Sequence, residues 1–241
     1  MVFFQAPEIS AQTFLKVFIV HGILFGSFLF IAYMILKRDR KWINIIASSF
    51  YISFATGLLL NFIFVLISFE PYGQIVLTLY YATMFFLMLG TFFLTIFSFI
   101  LLQSESVFTK KKQLFLILIC CIIVFCMVFI PNGVTINDST DWNPVYSIGY
   151  FIYIFIVFTV FSVIPQIYCF IKIHGAFQNE SLQKRWKFFI IGTTLLYIFC
   201  YGTIIYHTLD IQEIRTIWSL ISLGLAVASA FLIFRGIGKI E

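Results

Sequence analysis

Seven long apolar runs, at 12–36, 43–69, 74–103, 113–131, 144–172, 186–208 and 214–235, alternate with short polar gaps along the chain. A hydrocarbon layer about 30 Å thick takes roughly 20 helical residues to cross. Lipid offers backbone groups no hydrogen-bond partners, so runs this long and this continuously apolar predict helices. Barrel strands would alternate polar and apolar positions over about ten residues. The pattern therefore predicts an all-α fold, a polytopic bundle of seven transmembrane helices forming a single domain over 1–241. Pro71 with Gly73 and Pro131-Asn132-Gly133 punctuate the gaps, and Pro144 is expected at the first turn of the fifth span.

Charge orients the bundle. Thirteen of the fifteen Lys and Arg residues fall in alternate gaps: Lys37-Arg38-Arg40-Lys41, Lys110-Lys111-Lys112, Lys172 with Lys184-Arg185-Lys187, and Arg235 with Lys239. The other gaps hold Lys16 and Arg215 beside six acids: Glu8, Glu70, Asp138, Asp141, Asp210 and Glu213. Short loops rich in Lys and Arg stay cytoplasmic. The expected topology thus has the N-terminus outside and the C-terminus in the cytoplasm, as a multi-pass protein of the cell membrane. Trp42, Trp142, Trp186 and Trp218 fall near span ends, where an interfacial aromatic belt is expected.

Composition agrees. The chain is 62% hydrophobic and 10% charged, with a mean hydropathy of +1.06, whereas soluble domains carry about 25% charged residues. The net charge of +5 is split into a basic and an acidic face, which argues against nucleic-acid binding. All five cysteines (Cys120, Cys121, Cys126, Cys169 and Cys200) lie inside apolar runs, so neither an extracellular disulfide framework nor a zinc site is expected. Met1 to Ser10 lacks a basic leader region, so no cleaved signal peptide is expected. Gly22 with Gly26, Gly224 with Ala228, and Ala226 with Ala230 have the spacing that lets membrane helices approach. They are expected either to pack spans 1 and 7 together or to form a homodimer face.

Hydrogen-bonding residues at membrane depth are functional candidates, because they are costly there. No acid or lysine lies near the middle of a span, which argues against a proton relay. The candidates fall in the outer halves: His21, Asn61, Tyr81, Tyr150, Tyr153 and Tyr201, with Tyr197 near the centre. Tyr146, Tyr150 and Tyr153 recur at i, i+4 and i+7, one helical face. An outward cavity lined by these groups suits a small apolar or aromatic ligand with a few polar handles. The alternative places the tyrosines in the interface belt, with His21 and Asn61 bonding neighbouring helices. No triad, carboxylate pair or zinc spacing points to an enzyme, and no cofactor is implied.

Val163-Ile164-Pro165-Gln166-Ile167-Tyr168 sets a Pro-Gln pair late in the fifth span. It resembles the signature of PQ-loop transporters, seven-helix proteins arranged as 3+1+3 whose prolines act as hinges for small-solute transport. That resemblance implies hinge roles for Pro165 and Gln166, although Gly22 to Lys37 lacks the equivalent first-span pair. The stretch Gln183-Lys184-Arg185-Trp186-Lys187-Phe188-Phe189-Ile190-Ile191-Gly192, leading from a basic loop into a span with an early glycine, is similar to the seven-helix sensor modules at the N-terminus of microbial histidine kinases. With the sequence ending at Glu241, that likeness implies a receptor or sensor acting through a separate cytoplasmic or membrane partner, reached by the basic loops. A structural subunit of a membrane complex is the third expectation. A retinal protein would need a lysine in 214–235, where none occurs. Animal G-protein-coupled receptors carry an acid-Arg pair where this chain reads Leu101-Leu102-Gln103-Ser104.

Overall fold

The computed structural model describes residues 21–67, 73–140, 142–209 and 211–237. The apolar runs wind into α1 (His21–Arg38), α2 (Trp42–Leu66), α3 (Gly73–Val107), α4 (Lys110–Phe125, continued by a 3-10 turn Cys126–Phe129), α5 (Ile148–Phe158), α6 (Ile164–Ala176), α7 (Glu180–Leu209) and α8 (Gln212–Ile237). A π-helical turn, Thr159–Val163, joins α5 to α6 in one rod. Residues 12–20 of the predicted first span, with Lys16, lie outside the described residues. So do Glu70, Pro71, Asp141, Asp210 and Lys239. Six helical stretches are long and apolar enough to cross a bilayer: His21–Arg38, Trp42–Leu66, Gly73–Gln103, Lys110–Phe129, Ile148–Ala176 and Glu180–Leu209. In α8 the apolar stretch, Ile221–Ile237, is shorter.

The fifth helix begins later than Pro144. Val145–Tyr146 (β2) pairs antiparallel with Val134–Thr135 (β1), in register Val134 with Tyr146. Ser147 then caps α5, its Oγ accepting from the Tyr150 N–H at 3.3 Å. Ahead of β1 the chain turns at Asn132, whose φ of 51° lies in the left-handed region that asparagine tolerates. The polar gap 132–143 is thus a hairpin, and Val145 and Tyr146 belong to it.

Counting α5 and α6 as one rod, packed neighbours run antiparallel, as Gly57 beside Leu87, Tyr153 beside Ile123 and Gly192 beside Ile233 show, so one end of the bundle gathers the basic connections and the other the hairpin. At the basic end Trp42 Nε1 donates to Gln113 Oε1, tying the starts of α2 and α4. Bilayer helices gain nothing from burying apolar surface against each other, so close approach depends on small residues and hydrogen bonds. The tightest crossing is α7 on α8. A Cβ built on Gly192 would stand 2.7 Å from the Ile233 nitrogen, and one on Gly236 would stand 2.7 Å from the Phe189 nitrogen. On α3, Gly90 lies beneath the Phe54 ring of α2. By contrast Gly22, Gly26 and Gly224 meet nothing within 4 Å among the described residues, so the close approach within the chain runs through other glycines. Ala226 and Ala230 are buried, and the Ala230 carbonyl accepts from the Tyr51 hydroxyl at 3.1 Å.

Candidate functional site

Beneath the hairpin, α3, α5 and α7 meet in a cluster of aromatic side chains. Val134, Ile136 and Tyr146 of the hairpin are buried against Tyr80, Met127, Tyr150 and Ile204. The Tyr146 hydroxyl is hydrogen-bonded to that of Tyr80 and lies 3.5 Å from Met84 Sδ. Its ring packs edge-on against Tyr150 at 4.8 Å and tilted against His207 at 5.0 Å. Nδ1 of His207 lies 2.9 Å from the Pro144 carbonyl oxygen. A carbonyl only accepts, so Nδ1 carries the proton in this contact. Helices α3 and α7 therefore both hold the hairpin by hydrogen bonds.

The His207 tie gives a direct expectation. His207→Ala should strand the Pro144 carbonyl at a cost of about 1–3 kcal/mol, confined to the hairpin. Amide exchange at Ser147, whose N–H bonds the Gly133 carbonyl at 3.0 Å, should speed up while core amides of α3 stay protected. Unchanged Ser147 protection would mean that the hairpin holds without this tie.

Deeper in the bundle the π-helical turn is crossed by side chains from both neighbours. Within the turn the Ile164 N–H reaches back five residues to the Thr159 carbonyl. Ser162, fully buried, shares hydrogen bonds with Thr95 of α3 at 3.4 Å and Tyr197 of α7 at 3.2 Å. The Thr159 hydroxyl meets Tyr201 at 2.6 Å. Directly after Pro165, Gln166 Nε2 donates to Ser98 Oγ at 2.7 Å, while its buried Oε1 has no hydrogen-bond partner among the described residues. Such a turn holds one residue more than the α-helix, and π turns concentrate at functional positions.

The residues singled out from sequence fall into two groups. His21 and Asn61 meet each other, Nδ2 to Nδ1 at 3.3 Å, between α1 and α2. Tyr150 sits fully buried beneath the hairpin, with the Tyr81 ring 6.0 Å away. Tyr153 donates to the Ile123 carbonyl of α4, and Tyr197 and Tyr201 flank the π turn. Among the described contacts none links the His21–Asn61 pair to this second group. Sequence reasoning missed His207 and the hydroxyl row Thr91, Thr95 and Ser98. The row's spacing, i, i+4 and i+7 on α3, was its available signal.

Comparison of the chain with protein-family models, with characterised proteins and with solved structures returns no match in any of the three.

Proposed function

We propose that the chain is a seven-span integral membrane receptor or sensor of the cell membrane, N-terminal side outside and C-terminal side cytoplasmic, which hands its signal to a partner protein. The observation that carries this reading is that one set of rods bears all three parts: the hairpin's fastenings, the π turn and the basic end. Tyr80 and His207, which hold the hairpin, stand on α3 and α7. Those two helices also grip the π turn through Thr95 and Tyr197. A ligand that lifts or seats the hairpin changes the spacing of α3 and α7, and the wide turn lets α6 follow. Of the residues singled out from sequence, Tyr81 and Tyr150 beneath the hairpin supply the polar handles for a small ligand, and the basic loops supply the face for an acidic partner.

Topology and partnership are tested separately. Reporter fusions after residues 41, 72, 112, 137, 180, 210 and 241 should alternate between the two sides of the membrane, and two adjacent fusions on one side would break the seven-span reading. Cross-linking in native membranes should capture a defined protein with the wild-type chain and lose it when Lys37, Arg38, Arg40 and Lys41 are all changed to Gln. A second reading, facilitated transport of a small solute, draws on Gln166 beside Pro165, whose buried Oε1 has no hydrogen-bond partner among the described residues. Proteoliposomes separate the two: solute flux through the purified chain would favour transport and sink the sensor reading.

A further inference from the structure

Gln166 leaves an acceptor open in the middle of the bundle. Its Nε2 donates to Ser98 Oγ at 2.7 Å, and the Ser98 hydroxyl itself donates to the Leu94 carbonyl at 3.2 Å. Ser98 can therefore only accept from the amide, which holds Nε2 on α3 and leaves Oε1 as the open acceptor. Thr193 of α7 is in the same condition. Both residues are fully buried, and neither Gln166 Oε1 nor Thr193 Oγ1 has a hydrogen-bond partner among the described residues. Thr194, Thr203 and Thr208 of that helix return their hydroxyls to the carbonyl four residues back, at 2.9, 2.8 and 2.8 Å. Thr193 does not, so its hydroxyl is not spent on its own helix.

Contacts on either side set the two groups at one level. One turn toward the hairpin, Ser162 meets the Tyr197 hydroxyl at 3.2 Å. One turn toward the basic end, the Phe170 and Phe189 rings pack edge-on at 6.1 Å. Along the rod the order is Ser162, Gln166, Phe170, and along α7, running the other way, it is Tyr197, Thr193, Phe189, each four residues from the next. Gln166 thus faces Thr193 between these contacts, with the two polar atoms beyond direct hydrogen-bond reach of each other. An enclosed carbonyl and hydroxyl left in that state destabilise the fold unless something satisfies both. Among the described residues no charged side chain is buried between these helices, so nothing there balances an ion. Water both donates and accepts, and buried waters ordinarily bridge polar groups that the chain leaves unsatisfied. We infer that α6 and α7 hold a bound water here, which donates to Gln166 Oε1 and accepts from the Thr193 hydroxyl. Such a bridge is nearly as good as a direct hydrogen bond, and it ties α6 to α7 one turn from the wide π turn. The inference rests on the packing of these helices and on neither reading of the function.

Nuclear magnetic resonance and unfolding test the bridge together. The full chain, labelled with 13C and 15N, is kept in perdeuterated detergent micelles, and the Gln166 side chain is assigned through the Pro165-Gln166 dipeptide, which occurs once in the sequence. Its amide protons should show a nuclear Overhauser effect at the water frequency, with the sign of a water that is held rather than passing. Thr193→Val should cut that effect by at least half, and Thr193→Ser, which keeps the hydroxyl, should retain it. In SDS unfolding, Thr193→Val should raise the unfolding equilibrium constant roughly fivefold in the wild-type chain and by no more than about twofold in Gln166→Leu, where the bridge is already gone. A hydroxyl with nothing to bond gives the opposite sign, because valine then removes a buried polar burden. A Thr193→Val chain as stable as wild type, or more so, therefore overturns the site. Coupling without the water effect overturns it as well, in favour of a direct bond between the two side chains. A water effect that Thr193→Val leaves unchanged places the water elsewhere on the amide and overturns the bridge. If Gln166→Leu does not fold, the water effect in wild type, Thr193→Val and Thr193→Ser decides, together with the sign of the Thr193→Val stability change.

Discussion

Gly192→Leu is expected to remove the folded bundle, with a loss of about 3 kcal/mol or more. Overpacking a core usually costs 1–3 kcal/mol because side chains rotate aside. At Gly192 the obstacle is the backbone nitrogen of Ile233, 2.7 Å from a Cβ, and backbone does not rotate aside. Gly236 meets the Phe189 backbone at the same distance, so the two glycines seat α7 and α8 reciprocally. Gly192→Ala should already destabilise, although alanine is the better helix former by about 1 kcal/mol. Gly26→Leu, on a glycine facing open space, should stay within about 0.5 kcal/mol of wild type. Denaturation by SDS, followed by circular dichroism in mild detergent, ranks the three. A Gly26→Leu loss equal to that of Gly192→Leu would show that the α7–α8 crossing is not what holds the bundle together.

That contrast shows where sequence pattern reaches and where it stops. Helices were legible because the solvent imposes them: an unbroken apolar run has no other way to satisfy its backbone in lipid. Which glycine touches which helix depends on the antiparallel register of segments far apart in sequence. Gly22 and Gly26 have packing spacing but meet no neighbour within 4 Å among the described residues, whereas Gly192 lies on Ile233 and Gly236 on Phe189. The hairpin escaped for a related reason. Val145 and Tyr146 are apolar and extend the run that becomes α5, and nothing local says that they pair with Val134 and Thr135 first. Trp186 was expected at the interface, but α7 starts at Glu180, ahead of the predicted 186, and carries the ring into the core.

The tyrosines show a partial success of another kind. Tyr146, Tyr150 and Tyr153 do not share one helical face, since Tyr146 lies in β2. Tyr146 and Tyr150 still touch, because Ser147 turns the strand directly into the helix. A spacing argument found the right neighbours through the wrong geometry. His207 drew no attention, because a histidine at a span end reads as solvated. Only the hairpin, folding back to bring the Pro144 carbonyl to it, makes it a fastening.

Deleting Val160 should cost about 3 kcal/mol while Pro165 is present and close to nothing once Pro165 is alanine. The π turn holds one residue too many for an α-helix, and Val160 is an exposed member of it. Removing it lets α5 and α6 fuse into a regular helix with both registers kept, so Tyr150 and Ile154 on one side and Gln166 and Phe170 on the other remain inward. A regular helix, however, drives the Pro165 ring into the carbonyl of Phe161 and breaks its ladder, a cost of about 3 kcal/mol in a helix interior. In the observed turn the Ile164 N–H already bonds five residues back, and that wider path is what accommodates the ring. Pro165→Ala alone should therefore change stability by under about 1 kcal/mol. Closing the turn without a deletion would rotate α6 by about 100° and pull Gln166, Cys169 and Ile173 out of the core. SDS denaturation of the wild type, the two single variants and the double variant forms a cycle with an expected coupling of about 3 kcal/mol. Additive effects would mean that the proline and the wide turn are neighbours by accident. With coupling present, the double variant is the bundle with its joint stiffened: if the π turn transmits signal or transport, it should fold as well as wild type and lose that function.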